Sequence, residues 1–463
     1  MAEKDKKAGS GTVGIKDNGR VVVIGCSGAG ALAAMTLKKM KSSVDVTVFR
    51  EEDEKGLLTR CATPYICCGD VLVDPSYKDD RMFTDAGIHL VNERAESIDR
   101  KMKTVQTADG KDYSYDRLVL AAGAVPLIPP IEGADLDGVF TLRKSEDAFR
   151  ILNRMNRERI KRCVIIGAGA IGIEIAYLTA KKGVDVEIVE MLDHILPRAL
   201  DADMSREVES YIKAQGVDIR LNKSVAEING NGSVDSVTID SGEQIETGMV
   251  IISAGARPRI ELAQEAGLDI GDLGVAVDRY LVTSDPDIYA AGDCIQFENY
   301  ITRKPGLGQL RPNAVIGGRI AAKNILGRSV EYPPFVNGFA TKFFDKSIAG
   351  TGLTAEAAER EGIQTVTSVR ASADQHSMMR EKKPYSVKLV FNKENGQVIG
   401  GQIVSDSRTM IKNIDTITVA IRSDWTASDL STLRCAGQPE LSPDPGKEPI
   451  ALAAQEADAL LNG

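Results

Sequence analysis

A strand, a glycine-rich turn, a helix and a second strand follow one another twice in this chain, and this repeat most constrains how the chain can fold. The first copy comprises a strand over 20–24, the turn Gly25-Cys26-Ser27-Gly28-Ala29-Gly30, a helix over 29–41 and a strand over 44–49. The second comprises a strand over 163–166, the turn Gly167-Ala168-Gly169-Ala170-Ile171-Gly172, a helix to 182 and a strand over 184–189. Such a turn surrounds a phosphate with the N–H groups of a helix N-terminus. Two copies predict an α/β chain with two Rossmann-like nucleotide-binding domains.

The second turn carries all three glycines of a dinucleotide-binding motif. Gly167 makes the tight turn, Gly169 admits the pyrophosphate, and Gly172 lets the helix pack closely on the strand. Glu190 ends the following strand, where a carboxylate accepts hydrogen bonds from ribose hydroxyls. An NADPH site would need an arginine nearby for the 2′-phosphate, and residues 191–193 contain none. We therefore predict NADH as the cofactor here, with NADPH as the alternative.

The first turn keeps Gly25 and Gly30 and has Ser27 at the middle position, where a small side chain still lets a phosphate approach. The strand after it ends at Arg50. That arginine takes the nearer position, so Glu51 is the predicted ribose acceptor.

A Gly-Asp pair later in the chain predicts which dinucleotide the first turn binds. Gly292-Asp293 follows the apolar run 288–291, and an aspartate at a strand end suits the ribityl hydroxyl and phosphate of a flavin. Together with two dinucleotide turns, this pair predicts FAD.

Composition narrows the classes of partner. The 463 residues carry 57 Lys+Arg and 66 Asp+Glu, a net charge of −9, which argues against nucleic acid or an anionic membrane as the main partner. The uncharged stretch 21–37 is interrupted by glycines and too short for a membrane span. The seven cysteines are odd in number and mostly scattered, so we expect no disulfide framework and a cytoplasmic protein.

Cys61 is the candidate reactive thiol. Pro64 favours a helix that begins near it, so Cys61 lies at a helix N-terminus, where the helix dipole stabilises a thiolate. Arg60 adds positive charge. The alternative is an ordinary small buried residue.

The spacing of the other cysteines and of the histidines favours neither a disulfide with Cys61 nor a metal site. In a helix Cys68 would lie ~10 Å away, beyond the roughly 7 Å that a disulfide spans. No suitably spaced fourth ligand accompanies Cys61, Cys67 and Cys68, and His89, His194 and His376 are far apart in sequence. We predict no metal site.

These motifs together resemble those of the FAD-dependent pyridine nucleotide-disulfide oxidoreductases. The closest resemblance is to the single-cysteine branch: coenzyme A-disulfide reductases, NAD(P)H sulfur or persulfide reductases, and NADH oxidases. The matching elements are the Leu120–Gly123 turn, the Ile288–Asp293 flavin element, the helix with Leu310, Ala314, Gly318 and Arg319 under the isoalloxazine, and Cys61-Ala62-Thr63-Pro64-Tyr65, which resembles the C-x-x-P-Y redox element. The resemblance implies that Cys61 is redox-active, that Gly123 and Ala314 contact FAD, and that Gly255, which ends the second unit, contacts NADH.

The resemblance also implies the order of the domains and a homodimer. The predicted parts are a flexible tail 1–18, FAD-binding halves 19–145 and 266–333, an NAD-binding domain 146–265 and a C-terminal α+β dimerisation domain 334–463. In the last part the sequence predicts strands over 339–344, 386–391 and 398–404, and helices over 354–361 and 407–422.

Three positions depart from the family pattern. Leu57 stands where the family often has serine, and Gly28 stands where oxidases and peroxidases carry a histidine in the first turn. Coenzyme A-disulfide reductases carry tyrosines that reach the partner's active site, whereas the corresponding segments 435–443 and 370–376 contain none. They contain Cys435, predicted as a second redox thiol or else a bystander, and His376, predicted as an acid near the thiol.

The function predicted from these features is reduction of a small disulfide, polysulfide or persulfide by NADH through FAD and Cys61, in a homodimer. One alternative is an NADH oxidase or peroxidase, which the missing histidine at Gly28 disfavours. The other is an NADH-linked electron-transfer subunit with an electron-carrier protein as partner, suggested by the cysteine-rich segment 61–68.

Overall fold

The computed structural model describes residues 14–71, 76–158 and 160–463, whose three largest sheets have five strands each. The elements of the first part are β1 Arg20–Ile24, α1 Gly28–Met40, β2 Asp45–Phe49, β3 Leu57–Leu58, a 3-10 turn Arg60–Ala62, α2 Thr63–Cys67, β4 Tyr77–Lys78, α3 Arg81–Thr84, β5 Ile88–Val91, β6 Ala95–Asp99, β7 Thr104–Thr107, β8 Asp112–Ser114, β9 Arg117–Leu120 and β10 Ala124–Pro126. Helix α1 begins and ends within one residue of its prediction.

The second part of the chain contains a second parallel sheet. Its elements are β11 Val139–Phe140, α4 Ser145–Glu158, β12 Arg162–Ile166, α5 Ala170–Ala180, β13 Asp185–Val189, α6 Ala202–Ala214, β14 Asp218–Arg220, β15 Val225–Gly230, β16 Val234–Ile239, β17 Gln244–Glu246, β18 Met249–Ile252, β19 Ala256–Pro258 and α7 Glu261–Glu265. The strand order is β11-β18-β12-β13-β14, and every pair is parallel. The four residues of β18 are buried, as expected for a strand covered on both faces.

The chain then returns to the first sheet. The returning elements are β20 Ile288–Ala290, β21 Phe297–Glu298, β22 Pro305–Gly306 and α8 Arg311–Ile325. Strand β20 pairs in parallel with β9, which gives the first sheet the order β20-β9-β1-β2-β5. The antiparallel ribbon β10–β19 connects the two parallel sheets. The first domain is therefore discontinuous in sequence, with the second inserted into it.

The C-terminal part forms an antiparallel sheet covered by helices. Its elements are β23 Phe339–Phe343, β24 Lys346–Gly352, α9 Ala355–Arg360, β25 Thr365–Ala373, β26 Pro384–Asn392, β27 Val398–Ser405, a 3-10 turn Met410–Lys412, α10 Asn413–Arg422, α11 Ala427–Ser431, a 3-10 turn Pro445–Lys447 and α12 Pro449–Asn462. The order is β23-β24-β27-β26-β25. Buried Lys388 of β26 forms ion pairs with Asp201 at 3.0 Å and Asp203 at 2.8 Å, which joins this sheet to the second domain.

The structure confirms the predicted fold class and corrects two segments. A flexible tail was predicted over 1–18, but Ile15 is buried and its N–H donates to the Ile325 carbonyl at 2.9 Å. Residues 1–13 lie outside the described part. The helix predicted from 407 begins only at Asn413. At the predicted start of this helix, the Ser407 N–H donates to the Ser405 hydroxyl at 3.0 Å, and this local side-chain bond competes with helix formation.

Several strands were not predicted, among them β24 and β25 of the C-terminal sheet. Edge strand β25 was not predicted because only Ser368 in it is buried, so the alternation of apolar and polar residues is absent.

None of the helices within the described ranges combines the length and the apolar character that crossing a bilayer requires.

Candidate active site

The first glycine turn is tightly enclosed. Gly25 has φ +101°, and a Cβ there would collide with the Ala121 carbonyl oxygen, while a Cβ on Gly30 would collide with the Gly25 carbonyl oxygen. Ser27 is the N-cap of α1, and its side chain makes no capping hydrogen bond. The backbone at Gly25 and Gly30 admits only a glycine, as the sequence predicted for a phosphate turn.

Two further elements close over this turn. A Cβ on Gly318 of α8 would collide with the Ala29 carbonyl oxygen, and a Cβ on Gly28 would lie 3.3 Å from Ala314. Gly292, with φ +88°, would place a Cβ 3.0 Å from the Ala29 side chain. The predicted residues Gly25, Ser27, Gly30, Gly292, Asp293 and Ala314 therefore lie around one cradle. Helices α1 and α8 flank this cradle, and its glycines keep it narrow. It therefore fits a dinucleotide that stays bound, such as FAD.

Gly123 and Arg143 stand beside Asp293. Gly123 has φ +76°, and a Cβ there would lie 3.3 Å from the Arg143 guanidinium. That guanidinium is 3.3 Å from the Asp293 carboxylate. Arg143 was not predicted, because an arginine in a polar helix-start segment carries no motif of its own. It places a cation where a dinucleotide carries phosphates.

The two residues after β2 separate in the structure. Arg50 is buried and forms a bidentate ion pair with Asp80 at 2.7 and 2.8 Å, with a third hydrogen bond to Asn92 at 3.0 Å. It is thus engaged within the fold. Glu51 forms an ion pair with Arg259. Burial opposes its ionisation, but the hydrogen bond and charge of Arg259, with weaker contributions from other nearby cations, together outweigh burial and lower the pKa of Glu51. Glu51 stays the predicted ribose acceptor.

The second glycine turn is open on the side where the first is closed. A Cβ on Gly167 would lie 2.7 Å from the Ser253 carbonyl oxygen, and one on Gly172 would collide with the Gly167 carbonyl oxygen. A Cβ on Gly169, in contrast, would meet nothing within 4 Å. Gly255, which ends the unit with φ +119°, also faces open space. A pyrophosphate can therefore approach Gly169 from solvent, as an exchanging nucleotide requires.

Glu190 is buried at the edge of the second turn. Its carboxylate accepts from the Ala168 N–H at 2.7 Å and from the Leu192 N–H at 2.9 Å, which fixes it beside the loop. Arg220 ends the neighbouring strand β14 but is engaged by Glu187 at 2.8 Å and Glu243 at 3.0 Å. This guanidinium is therefore already neutralised, and the surroundings favour ribose hydroxyls over a 2′-phosphate.

Cys61 is exposed in the 3-10 turn that leads into α2. Helix α2, which follows this turn, packs against both α4 and α5, the helix of the second glycine turn. The expectation that Arg60 adds uncompensated positive charge is wrong. Its guanidinium pairs with Glu52 at 2.9 Å and also with Glu54, so its charge is neutralised within the loop.

The neighbouring cysteines are of a different kind. Cys67 and Cys68 are fully buried with their sulfurs 3.5 Å apart, and the Cys67 thiol donates to the Pro64 carbonyl at 2.9 Å. Burial also raises the pKa of Cys26 to about 12 and that of Cys294 to about 11. Cys61 and Cys435 are the exposed thiols among seven free cysteines. Within the described ranges, no three His, Cys, Asp or Glu side chains are grouped to hold a metal ion.

Cys435 and His376 both lie in the C-terminal domain. The His376 N–H donates to the Pro439 carbonyl at 2.9 Å, and the His376 ring lies 3.5 Å from the Asp444 carboxylate. Burial, with the charge of Glu448, raises the pKa of Cys435 to about 11, so this thiol is protonated at neutral pH. In the described part of one chain, no hydrogen bond or ion pair joins either residue to Cys61.

Two partly buried polar residues on the neighbouring helices α5 and α2 had no role predicted from the sequence. Glu174 of α5 accepts a hydrogen bond from Thr341 of β23 at 3.0 Å, and Tyr65 follows Cys61 on α2. Glu174 is the single charged residue of an otherwise apolar helix. That isolation in the sequence was the available signal.

Comparisons with known proteins agree with this geometry. Residues 19–318 match the family described as pyridine nucleotide-disulphide oxidoreductase, and residues 339–448 match its dimerisation domain. The chain belongs to the pyridine nucleotide-disulphide oxidoreductases. As a member of this family it is an FAD-dependent NAD(P)H oxidoreductase with a C-terminal dimerisation domain. The predicted family, fold class and cofactors are confirmed.

Relatives within the family carry several activities in their names, among them NADH oxidase and sulfur or persulfide reductase. An NADH oxidase of Methanocaldococcus jannaschii is 36% identical over 450 residues, covering 95% of this chain and 98% of the relative. A CoA-dependent NAD(P)H sulfur oxidoreductase of Pyrococcus abyssi is 32% identical, covering 93% and 96%. The solved structure of an NAD-dependent persulfide reductase from A. fulgidus aligns with a TM-score of 0.91 and 31% identity over 96% of this chain and 84% of that one.

Proposed function

We propose that this chain reduces a sulfur–sulfur bond in a small disulfide, polysulfide or persulfide with NADH, through Cys61. The observation that carries the proposal is the position of Cys61, an exposed thiol in the 3-10 turn that leads into α2, a short helix packed against α5 of the second glycine turn. The names of the sulfur and persulfide reductases among the relatives support the same substrate class.

The two glycine turns bind different nucleotides in this proposal. We assign FAD to the enclosed cradle, with ligands from Gly25, Ser27, Gly30, Glu51, Gly123, Gly292, Asp293 and Ala314. We assign NADH to the open turn, with ligands from Gly167, Gly169, Gly172, Glu190 and Gly255. Bound FAD supplies two-electron transfer between a nicotinamide and sulfur. The protein orients both nucleotides and holds the reacting thiol beside them.

Cys61 performs the sulfur chemistry. Its thiolate attacks one sulfur of the substrate, the S–S bond breaks, and the other sulfur leaves as a thiolate. The resulting mixed disulfide on Cys61 takes up the electron pair that originates from NADH, which releases the second product thiolate and restores the Cys61 thiolate. The net reaction is NADH + H⁺ + RSSR → NAD⁺ + 2 RSH.

His376 and Cys435 have secondary roles in this proposal. We propose that the chain acts as a homodimer and that the His376–Asp444 pair serves as an acid in the partner's site. A thiol that is protonated at neutral pH is a poor attacking group, so we do not give Cys435 the attacking role. The seven free cysteines fit a reducing cytoplasm.

A second candidate function is NADH oxidase, which the 36% identical relative favours by name. Gly28 opposes it, because the loop histidine that would serve as an acid–base group is absent from that position. Oxygen consumption during NADH turnover that is unaffected by added disulfide or polysulfide would establish the oxidase. Turnover only in the presence of an added electron-carrier protein would establish the electron-transfer alternative.

An anaerobic dithionite titration of the holoenzyme beside Cys61→Ser tests the proposal. If Cys61 is a redox centre next to FAD, the wild type takes up about four electrons per flavin and the variant about two. Turnover of NADH with polysulfide should fall at least about 10³-fold in the variant, because the nucleophile is lost. Equal uptake of two electrons by both proteins, with turnover retained, would contradict the proposal.

A further inference from the structure

Glu54 is a buried carboxylate in the loop that leads from β2 to the Cys61 turn. Its side chain is 3% exposed, against 24% for Glu52. One carboxylate oxygen, Oε1, pairs with the Arg60 guanidinium and accepts from the Ser145 hydroxyl at 2.9 Å. The Ser145 N–H donates to the same oxygen at 3.4 Å. A buried charge needs partners that replace water, so this carboxylate favours the arrangement in which both partners stay in place.

Arg60 connects this carboxylate to the reactive thiol. It directly precedes Cys61 and begins the 3-10 turn. Its carbonyl accepts from the hydroxyl of Thr63 at 2.7 Å, and Thr63 is a buried residue that begins α2. The turn is therefore held by the Arg60 side chain before the thiol and by the Thr63 hydroxyl after it. An exposed Cys61 between two such attachments has little freedom to move.

Ser145 connects the same carboxylate to the cradle assigned to FAD. It begins α4, and α4 packs against α2. Two residues earlier, Arg143 places its guanidinium 3.3 Å from the Asp293 carboxylate. The Asp147 carboxylate accepts from the Arg143 N–H at 2.9 Å, which fixes the segment between these residues. The helix start that holds Ser145 is thus the one that borders the cradle.

Transfer of an electron pair between the flavin and a sulfur on Cys61 requires that the two stay close and correctly oriented. We propose that Glu54 is a positioning residue for the sulfur half of the reaction. Through Arg60 and Ser145 it holds the Cys61 turn against the helix that borders the cradle, and we call these three residues the Arg60–Glu54–Ser145 anchor. This inference rests on the proposed function.

The anchor serves one half of the reaction only. No described residue of the second glycine turn bonds Glu54, so flavin reduction by NADH does not depend on the anchor. Reoxidation by a sulfur substrate does, because it passes through Cys61. Loss of the anchor should therefore slow the second half-reaction and spare the first.

Glu52 provides the matched control. It pairs with the same Arg60 guanidinium, at 2.9 Å, and carries the same charge as Glu54. It is more exposed, and its bonds in the described part of the chain do not include one to Ser145. Glu52→Ala therefore removes one carboxylate from Arg60 and leaves the turn attached to α4.

Glu54→Ala in the holoenzyme is the first test, with the two half-reactions followed separately under anaerobic stopped flow. We expect reoxidation of the NADH-reduced enzyme by polysulfide to slow roughly tenfold or more, because the thiol loses its position. Flavin reduction by NADH should stay within about twofold of wild type, and Glu52→Ala should leave both half-reactions within about twofold.

Ser145→Ala tests the other end of the anchor by deleting a single hydroxyl, and it replaces Glu54→Ala if that variant does not retain FAD. We expect reoxidation by polysulfide to slow by roughly three- to tenfold, since one hydrogen bond to a buried charge is lost. Ser145→Thr keeps the hydroxyl and should restore the wild-type rate. Glu54→Gln keeps an acceptor without the charge and should lie between wild type and Glu54→Ala.

Hydrogen exchange of the backbone amides over 59–63, followed by mass spectrometry, measures the turn itself and requires no turnover. We expect faster exchange in Glu54→Ala and Ser145→Ala, because the turn opens more often without its anchor. Glu52→Ala should exchange as the wild type does. Unchanged exchange over 59–63 in Glu54→Ala would overturn the proposal, whatever the rate of reoxidation.

The rates separate the anchor from the proposed function. If the turn exchanges faster in Glu54→Ala while polysulfide reoxidises the flavin at the wild-type rate, the positioning role is overturned. Equal slowing of both half-reactions also overturns it, since that indicates a general structural defect. Loss of turnover in Cys61→Ser with full turnover in Glu54→Ala overturns the anchor alone, whereas full turnover in Cys61→Ser overturns both.

Discussion

The two glycine turns meet the same phosphate-binding requirement with opposite access. The first is closed over by α8 and the Gly292 turn, so that side chains at Gly28, Gly292 and Gly318 would meet close neighbours. The second leaves Gly169 facing open space. A closed cradle slows release of its nucleotide, and an open one allows exchange in every cycle. The difference distinguishes a resident cofactor from a nucleotide that acts as a substrate.

Gly30→Ala should have the largest effect, because the added Cβ meets the Gly25 carbonyl oxygen and the backbone must shift. We expect FAD occupancy after purification to fall at least roughly tenfold, because the loop backbone can no longer approach the phosphates. The absorbance ratio of flavin to protein measures this directly. Normal flavin content in a folded variant would show that the first turn is not a closed cradle.

Glu190→Ala combined with Met191→Arg should change nucleotide preference without affecting FAD. The carboxylate that accepts from ribose hydroxyls is removed, and an unpaired guanidinium for a 2′-phosphate is added. We expect the ratio of kcat/KM for NADH over NADPH to fall at least about tenfold. A wild-type enzyme that already prefers NADPH tenfold would contradict the assignment of Glu190.

Gly169→Ala should have a smaller effect confined to NADH. The position has ordinary backbone geometry and open space around it, so the fold accepts a methyl group. The methyl group would crowd only the incoming pyrophosphate, and we expect KM for NADH to rise by roughly three- to tenfold with full FAD content. Comparing flavin content with Gly30→Ala tests the difference between the two turns; a loss of FAD in both would remove it.

Cys435→Ser should have the smallest effect. This residue is far in sequence from both glycine turns. We expect unchanged FAD content, an unchanged KM for NADH and disulfide turnover within about twofold of wild type, because the Cys435 thiol is protonated at neutral pH. Steady-state assays with both NADH and disulfide varied measure these quantities. A tenfold loss of turnover would instead make Cys435 a second redox thiol.

The glycine turns could be predicted from the sequence because their function depends on local backbone geometry. Gly25, Gly30, Gly167 and Gly172 adopt the conformations that their spacing requires. The charge around Cys61 could not be predicted, because Arg60 pairs with glutamates of the preceding loop only after the loop folds back. A local sequence pattern fixes a turn, whereas the neutralisation of a charge depends on tertiary contacts.

Contacts between domains could not be predicted from the sequence either. Thr341 and Glu174 are far apart in sequence and meet only when β23 packs beside α5. Edge strand β25 carries no alternation because most of its residues on both faces are only partly buried. Strands β1 and β12, which are buried at four of their five residues, were predicted to within one residue from their apolar runs.

The insertion of the second domain into the first has a consequence for how the chain is made. During synthesis, β20 and Gly292 leave the ribosome only after every strand of the inserted domain. The inserted domain can therefore fold while its host still lacks an edge strand and one wall of its nucleotide cradle. Capture of FAD is thus a late event in the maturation of this enzyme, and the nascent host domain is the part that needs protection from aggregation until then.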